Sequence, residues 1–239
     1  MTEARAVYPL VLFAGRFGSG KTEVALNYAR SLAEGGTAAP GMARDDGSAP
    51  VVLIDLDIVT PYFRSREMAE QLAQHGVELV APSIIGQHLD TPAITPQILG
   101  AIEREDRQVV LDVGGDKQGA RALGQYSQAI RRRGYVMHFV VNPYRPFTST
   151  VVGLAESISE IEASSRLQVT DLVSNPNLIG ETRAGDILQG HAKIETYAQQ
   201  LGMPIAFVCL ERGWADRLDS SPFSQPTLAL DRSFVQPWE

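Results

Sequence analysis

The chain has 239 residues, of which 44% are hydrophobic and 21% are charged, and this suits one α/β domain with a sizeable core. A formal net charge of −7 argues against general binding to nucleic acids or acidic membranes. The single cysteine, Cys209, excludes an internal disulfide framework and fits a reducing cytoplasm. Because neither a secretory leader nor a long apolar span is evident, we expect a cytoplasmic protein.

Short apolar runs alternate along the chain with longer amphipathic stretches. The apolar runs predict strands over 8–15, 51–57, 77–82, 108–116, 135–142, 169–175 and 204–210. The stretches between them predict helices over 21–36, 61–76, 96–106, 117–133, 148–163 and 181–201. This alternation predicts a three-layer α/β sandwich, a mainly parallel sheet with helices on both faces.

The whole chain, 1–239, is interpreted as a single nucleotide-binding domain with its core over about 8–210. Residues 36–50 are small, polar and rich in proline and glycine, which predicts a mobile surface loop. Residues 211–239 form a C-terminal extension whose structure the pattern does not predict.

A phosphate-binding loop is predicted between the first strand and the first helix. Residues 15–22 match the pattern G-x-x-x-x-G-K-[ST], in which glycines let several backbone N–H groups point at one anion. The lysine reaches the β- and γ-phosphates of a nucleoside triphosphate, and the threonine hydroxyl binds Mg²⁺. The loop consists of Gly15, Arg16, Phe17, Gly18, Ser19, Gly20, Lys21 and Thr22.

Three aspartates end two of the predicted strands. Asp55 and Asp57 close the apolar run 51–57, and alternation puts both on one face of an extended chain. Asp112 ends the apolar part of 108–116 and is followed by Gly114 and Gly115. Carboxylates beside a triphosphate suit a Mg²⁺ shell and a polarised water. The alternative is that each aspartate belongs to a turn or a helix cap.

With this loop and these strands, the sequence resembles MinD/ParA-type ATPases of the SIMIBI class, within the CobQ/CobB/MinD/ParA nucleotide-binding domain family. That family has a lysine after the first glycine of the loop, which reaches the partner's phosphates across a nucleotide-sandwich dimer. Arg16 occupies this position here, and Phe17 replaces the family's next glycine. The resemblance therefore implies ATP, Mg²⁺, a homodimer, and an Arg16 that acts in trans as an arginine finger.

The resemblance also implies roles for the aspartates. Asp57 would position the attacking water, so that Lys21, Asp57 and Arg16 are the expected catalytic residues. Thr22, Asp55 and Asp112 are the expected Mg²⁺ residues. The glycines after Asp112 would sense the γ-phosphate.

The base of the nucleotide is predicted from two asparagines. The sequence has no N-K-x-D motif of the kind that guanine-binding P-loop proteins carry, whereas Asn142 and Asn175 end later strands. An asparagine amide can both donate to and accept from an adenine edge, and the resembling family uses an asparagine in this region. Asn175 is the preferred adenine contact and Asn142 the second. The alternative is an Asn-Pro turn at each position.

The main functional hypothesis is an ATPase that switches conformation with nucleotide and acts on a protein partner, in positioning or in metalloenzyme maturation. One alternative is an ATP-dependent small-molecule ligase or phosphotransferase resembling dethiobiotin synthetase, with Arg64, Arg66 or residues 83–95 holding the substrate. Another is a nucleotide-binding module with little turnover. Without a basic amphipathic C-terminal helix, we expect no direct membrane anchor.

Arginines and histidines elsewhere in the chain receive mainly structural interpretations. The run 131–133 fits a helix C-terminus before Gly134. Arg145 precedes a predicted helix start and is either an anion or partner contact or a surface ion pair. The four histidines have no metal-ligand spacing.

Overall fold

Eight parallel strands form one sheet in the computed structural model, which describes residues 10–35, 50–56, 66–81, 96–218 and 222–232. The strands are β1 (Leu10–Ala14), β2 (Val51–Leu56), β3 (Val77–Val80), β4 (Gln108–Val113), β5 (Tyr135–Val141), β6 (Asp171–Ser174), β7 (Ile205–Glu211) and β8 (Thr227–Leu230). The α-helices are α1 (Lys21–Ala33), α2 (Arg66–Gln74), α3 (Pro96–Glu103), α4 (Lys117–Gly124), α5 (Ser127–Arg133), α6 (Val151–Ser165), α7 (Ala184–Leu201) and α8 (Arg212–Ala215).

The strand order is β3-β2-β4-β1-β5-β6-β7-β8, and every neighbouring pair is parallel. β1 lies centrally, between β4 and β5. From β1 the chain runs outward to β2 and β3 on one side. It then returns through β4 and crosses β1 to build the other side. The carboxyl ends of β1, β2 and β4 therefore meet at one edge, where ligands of such sheets bind.

Side chains of the central strands alternate between two cores. Leu10, Leu12 and Ala14 pack into the layer that contains residues of α3 to α7. Val11 and Phe13 pack into the other layer, with α1 and α2. Parallel strands covered on both faces are mostly apolar, which is why the central strands read as nearly continuous apolar runs. The predicted three-layer α/β architecture is confirmed.

The single helix predicted over 117–133 is two helices, α4 and α5. The break follows Gly124, where a Cβ would lie 2.8 Å from the carbonyl oxygen of Ser164 in α6. The hydroxyl of Ser127 donates to the Gly124 carbonyl at 2.9 Å and closes the turn between the helices. Glycine at this break allows α6 to approach the end of α4 closely, a contact between distant residues that helical periodicity does not reveal.

Part of the C-terminal extension belongs to the sheet. β8 pairs with β7, and the side chain of Asn27 in α1 binds the backbone just beyond it. Its Nδ2 donates to the Asp231 carbonyl at 3.1 Å, and its Oδ1 accepts from the Asp231 N–H at 2.9 Å. A buried amide thus provides the two backbone partners that another strand would have supplied.

The arginines at 131–133 all have partners within the chain. Arg131 donates to the Arg166 carbonyl, and Arg132 pairs with Glu103 at 3.0 Å. Arg133 donates at 2.8 Å to the Ile102 carbonyl near the end of α3, where a positive charge also favours the helix dipole. The cluster thus joins α5 to α3 and to the turn after α6. No helix within the described ranges is long and apolar enough to cross a membrane.

Candidate functional site

The loop at 15–20 links the central strand β1 to α1 and has a backbone that only glycine accommodates easily. Gly15 and Gly20 have φ values of 153° and 84°. A Cβ on Gly15 would lie 2.8 Å from the Val140 carbonyl oxygen, and one on Gly20 would lie 2.4 Å from Nδ2 of Asn175. Positive φ and close packing therefore both explain the glycines of the motif.

A backbone hydrogen bond closes a turn within the loop, just before the N-terminus of α1. Ser19 N–H donates to the Arg16 carbonyl at 3.0 Å and closes a turn, and α1 begins at Lys21. The first amides of a helix have no intrahelical acceptor and carry the positive end of the helix dipole. The buried Ser19 hydroxyl has no hydrogen-bond partner within the described residues. A bound phosphate group would supply acceptors to a loop of this kind, so the residues fit a nucleotide.

Lys21 and Thr22 converge on Asp112. The Thr22 hydroxyl donates to Asp112 Oδ2 at 2.6 Å, and Lys21 Nζ lies 3.7 Å from Asp112 Oδ1. Lys21 is 7% exposed and Asp112 is fully buried. The cation predicted to bind phosphate, and the hydroxyl and carboxylate predicted to bind Mg²⁺, thus lie close together beside the loop.

Asp55 stands directly beside Asp112. The two are register partners on β2 and β4. Ile54, Leu56 and Leu111 face the core opposite α1, so both aspartates face the α1 side, where Thr22 lies. Asp55 is 2% exposed. Asp57, Arg64 and residues 83–95 lie outside the described residues, and their predicted roles stay predictions.

The described residues contain no group of three or more His, Cys, Asp or Glu side chains suited to a metal. Mg²⁺ at nucleotide sites needs only one or two carboxylates, because phosphate and water complete its shell. The Thr22 hydroxyl with Asp112 and Asp55 fits that requirement. These three side chains would hold Mg²⁺ alongside a bound triphosphate.

The turn after β4 packs against the loop. A Cβ on Gly115 would lie 2.9 Å from the Gly15 carbonyl oxygen and 3.0 Å from the Phe17 nitrogen. Next in sequence, the Asp116 side chain caps α4 by accepting from the Gly119 N–H at 2.8 Å. Gly115 therefore allows a close approach of this turn to the phosphate loop, and Asp116 caps the helix.

Arg16 is held within its own chain. Its Nη1 donates to Glu160 of α6 at 2.8 Å, and its guanidinium carbon lies 4.4 Å from the centre of the Phe147 ring. Lys117 also reaches Glu160, at 3.4 Å. The hydrogen bond from Arg16, followed by the charge of Lys117, lowers the pKa of Glu160. The neighbouring Phe17 is 76% exposed. A trans role for Arg16 stays a prediction and would require this contact to break.

The two asparagines proposed as base contacts are buried and bonded to backbone groups. Asn142 donates to the Asn177 carbonyl at 2.8 Å and accepts from the Tyr144 N–H at 3.1 Å, so its amide closes a turn. Asn175 Nδ2 donates to the Ser19 carbonyl at 2.8 Å. Asn175 therefore touches the phosphate loop, while Asn142 shapes the loop after β5. Their adenine contacts stay predictions.

Two further contacts, one to the loop and one to the end of β6, carry no local sequence signal. Glu160 lies in the middle of α6, and His191 in the middle of α7. His191 Nδ1 lies 2.9 Å from the hydroxyl of Ser174, the residue before Asn175. Both contacts join residues that are far apart in sequence, so only the packing of the helices reveals them.

His191 provides a prediction for stability against pH. Burial lowers its pKa from the ordinary value of 6.5, an effect that Glu195 and Gln225 oppose in part. The folded protein therefore binds a proton on this residue less readily than the unfolded chain. The contribution of His191 to the free energy of unfolding should therefore be complete above pH 6.5 and should decrease as the pH falls below that value.

The measurement is thermal denaturation of wild type and His191→Asn between pH 7.5 and 5.5. Between pH 7.5 and 5.5, the melting temperature of the wild type should decrease more than that of the variant, which lacks this titrating group. Equal slopes for the two proteins would show that His191 does not contribute to the pH dependence.

Comparison with known proteins shows the fold. No protein-family model and no curated protein matches the chain. The FtsY structure from Thermotoga maritima superimposes with a TM-score of 0.53 at 16% identity, covering 88% of this chain and 65% of that one. Chloroplast FtsY from Physcomitrella patens gives 0.51 at 19% identity, covering 87% and 61%.

The chain thus spans less than two thirds of the length of either FtsY structure. At these identities the likeness extends to the fold alone, one parallel α/β sheet with helices on both faces. The narrower resemblance to the MinD/ParA group stays a prediction.

Proposed function

We propose that this chain binds and hydrolyses a nucleoside triphosphate with Mg²⁺ and changes conformation with the state of the nucleotide. The observation that carries the proposal is the convergence of Lys21 and Thr22 on Asp112, with Thr22 Oγ1 at 2.6 Å and Lys21 Nζ at 3.7 Å. These groups sit at the mouth of a glycine loop whose backbone is curled for an anion. A structural ion pair alone would not require the glycine loop beside it.

Each side chain has a defined part in this proposal. Lys21 places a positive charge against the β- and γ-phosphates, and the backbone amides of the loop bind their oxygens. Thr22, with Asp112 and Asp55, would hold Mg²⁺, which would neutralise charge on the phosphates. Asp57 orients the attacking water. Positioning and charge neutralisation supply most of the catalysis in phosphoryl transfer, so no covalent nucleophile is needed.

ATP is the nucleotide in this proposal. The sequence lacks an N-K-x-D motif, and Asn175 directly follows β6 at the same sheet edge as the phosphate loop. Its Nδ2 is engaged with Ser19, so its Oδ1 would be the atom that accepts from an adenine amino group. Asn142 is the weaker candidate because its Oδ1 already accepts from the Tyr144 N–H.

A homodimer and a protein partner complete the proposed switch. Arg16 precedes the exposed Phe17 in the loop, and its guanidinium stacks on the ring of Phe147, which is 53% exposed. Exposed aromatic side chains beside a cation are typical of protein interfaces. In the dimer, Arg16 would leave Glu160 and bind the phosphates of the second copy.

The experiment measures phosphate release from ATP and GTP with Mg²⁺ and with excess EDTA, together with sedimentation in each nucleotide state. We expect Mg²⁺-dependent release, faster with ATP than with GTP, and a dimer only with the triphosphate. Turnover that needs a small organic acid or amine would favour the ligase. Tight binding without turnover under any condition would leave a nucleotide-binding module.

A further inference from the structure

Two side chains hold the backbone of the phosphate loop from outside. Asn175 Nδ2 donates to the Ser19 carbonyl at 2.8 Å, and Arg145 Nε donates to the Gly18 carbonyl at 3.1 Å. Arg145 lies in the loop after β5, and Asn175 directly follows β6. Two consecutive carbonyls of the phosphate loop therefore accept hydrogen bonds from residues that follow two neighbouring strands.

The hydrogen bond from Asn175 sets the direction of the next amide. A trans peptide is planar, and its C=O and N–H point to opposite sides. With the Ser19 carbonyl turned towards Asn175, the Gly20 N–H points away from it. The Gly20 N–H has no acceptor within the described residues. It lies next to the first amides of α1, so it adds one more donor to the group that faces an anion.

In the preceding peptide, between Gly18 and Ser19, both the carbonyl and the N–H form hydrogen bonds within the protein. Its carbonyl belongs to Gly18 and accepts from Arg145, while its N–H belongs to Ser19 and closes the turn onto Arg16 at 3.0 Å. Arg145 thus supports the turn of the loop, and Asn175 controls the amide nearest to the helix.

Asn175 itself is rigidly placed. It is 4% exposed, and its backbone N–H donates to the Val141 carbonyl at 2.9 Å, so the sheet fixes its position. The fit to the loop is close, because a Cβ on Gly20 would lie 2.4 Å from its Nδ2. A side chain fixed by the sheet can hold a loop in a constant shape before any ligand binds.

We propose that Asn175 is a positioning residue for phosphate binding, which fixes the Ser19–Gly20 peptide so that the Gly20 N–H faces the triphosphate. This role rests on the proposed function, because it takes a triphosphate as the ligand of the loop. The role acts on the phosphate chain and is independent of the base. It is therefore separable from the adenine contact, which acts only when a base is present.

The experiment compares the affinities of wild type and Asn175→Ala for Mg-ATP and for Mg-tripolyphosphate, which has no base, by calorimetry. The affinity for Mg-tripolyphosphate should weaken roughly five- to tenfold, the value of about one neutral hydrogen bond. The affinity for Mg-ATP should weaken by at least that factor, and any additional loss measures the adenine contact. In wild type, the amide resonance of Gly20 should shift on addition of tripolyphosphate, and in the variant this shift should shrink.

Asn27→Ala is the matched control. Asn27 is also a buried asparagine that forms hydrogen bonds with backbone groups, but its partners are Asp231, just after β8, and the Glu23 carbonyl of α1. Its removal should lower the melting temperature and leave the affinity for tripolyphosphate unchanged. Asn175→Ser, which keeps a small polar group in the buried site, gives the same comparison if Asn175→Ala does not fold.

Loss of ATP affinity with unchanged tripolyphosphate affinity would overturn the proposal in favour of a base contact. An unshifted Gly20 resonance in wild type saturated with tripolyphosphate would also overturn it. Equal losses on both ligands in a protein that never hydrolyses ATP would support the positioning role and refute the hydrolase. Wild type that binds neither ligand would refute both.

Discussion

Lys21→Ala should weaken Mg-ATP binding by about 10²-fold, because hydrogen bonds to charged groups contribute about 1.5–3 kcal/mol each. Lys21 is buried beside Asp112 and is the only lysine of the phosphate loop. Its removal takes away the positive charge that the motif directs at the phosphates. Calorimetric titration with Mg-ATP measures the loss, and phosphate release should become undetectable at concentrations that saturate wild type.

Lys193→Ala is the control for this prediction. Lys193 is an exposed lysine of α7 whose Nζ lies 5.9 Å from the centre of the Tyr197 ring. Its removal changes the net charge by the same amount and should leave ATP affinity unchanged. Thermal denaturation separates a binding defect from unfolding. Full ATP affinity in a folded Lys21→Ala protein would refute the assignment of the phosphate site.

Asp112→Asn should reduce Mg²⁺-dependent hydrolysis by roughly 10²-fold or more, a loss typical of groups that orient a metal or stabilise developing charge. The amide keeps the shape of the side chain, and its oxygen can still accept from the Thr22 hydroxyl. It removes the negative charge next to Lys21 and the site assigned to Mg²⁺. Rates measured over a range of Mg²⁺ concentrations should show a weaker apparent affinity for the metal.

Asp116→Asn is the matched control for Asp112→Asn. Asp116 caps α4 through the Gly119 N–H at 2.8 Å, and asparagine caps helices about as well as aspartate. The control should therefore keep both the rate and the Mg²⁺ dependence of wild type. An Asp112→Asn protein with an unaltered Mg²⁺ dependence would exclude Asp112 from the metal site.

The strands of the core follow from sequence alone more closely than the helices do. A parallel sheet covered on both faces favours nearly continuous apolar runs. β1 is such a run, and β2 and β4 are apolar except for Asp55, Gln108 and Asp112. The break between α4 and α5 and the strand β8 depend on contacts with α6 and α1. Such contacts leave no periodic trace in the segments themselves, so the pattern predicts neither.

The candidate site divides in the same way. The residues that touch phosphate in the proposed function are contiguous, and each is required by local backbone geometry or by its own chemistry. Their supports are remote: Arg16 and Glu160 are 144 residues apart, and Ser19 and Asn175 are 156 apart. The resemblance to a known family predicted that Asn175 contacts the adenine base, whereas its observed hydrogen bond is to the Ser19 carbonyl of the loop.

The sequence by itself determined a phosphate loop after an apolar strand, with Lys21 and Thr22 at its end, because a glycine-rich turn that opens a helix needs only consecutive residues. Only the tertiary structure decided which side chains meet this loop. The order of the strands brings Asp112 beside Thr22, Asn175 against Ser19 and Glu160 onto Arg16. Strand order is fixed by the packing of all layers together, and no single segment encodes it.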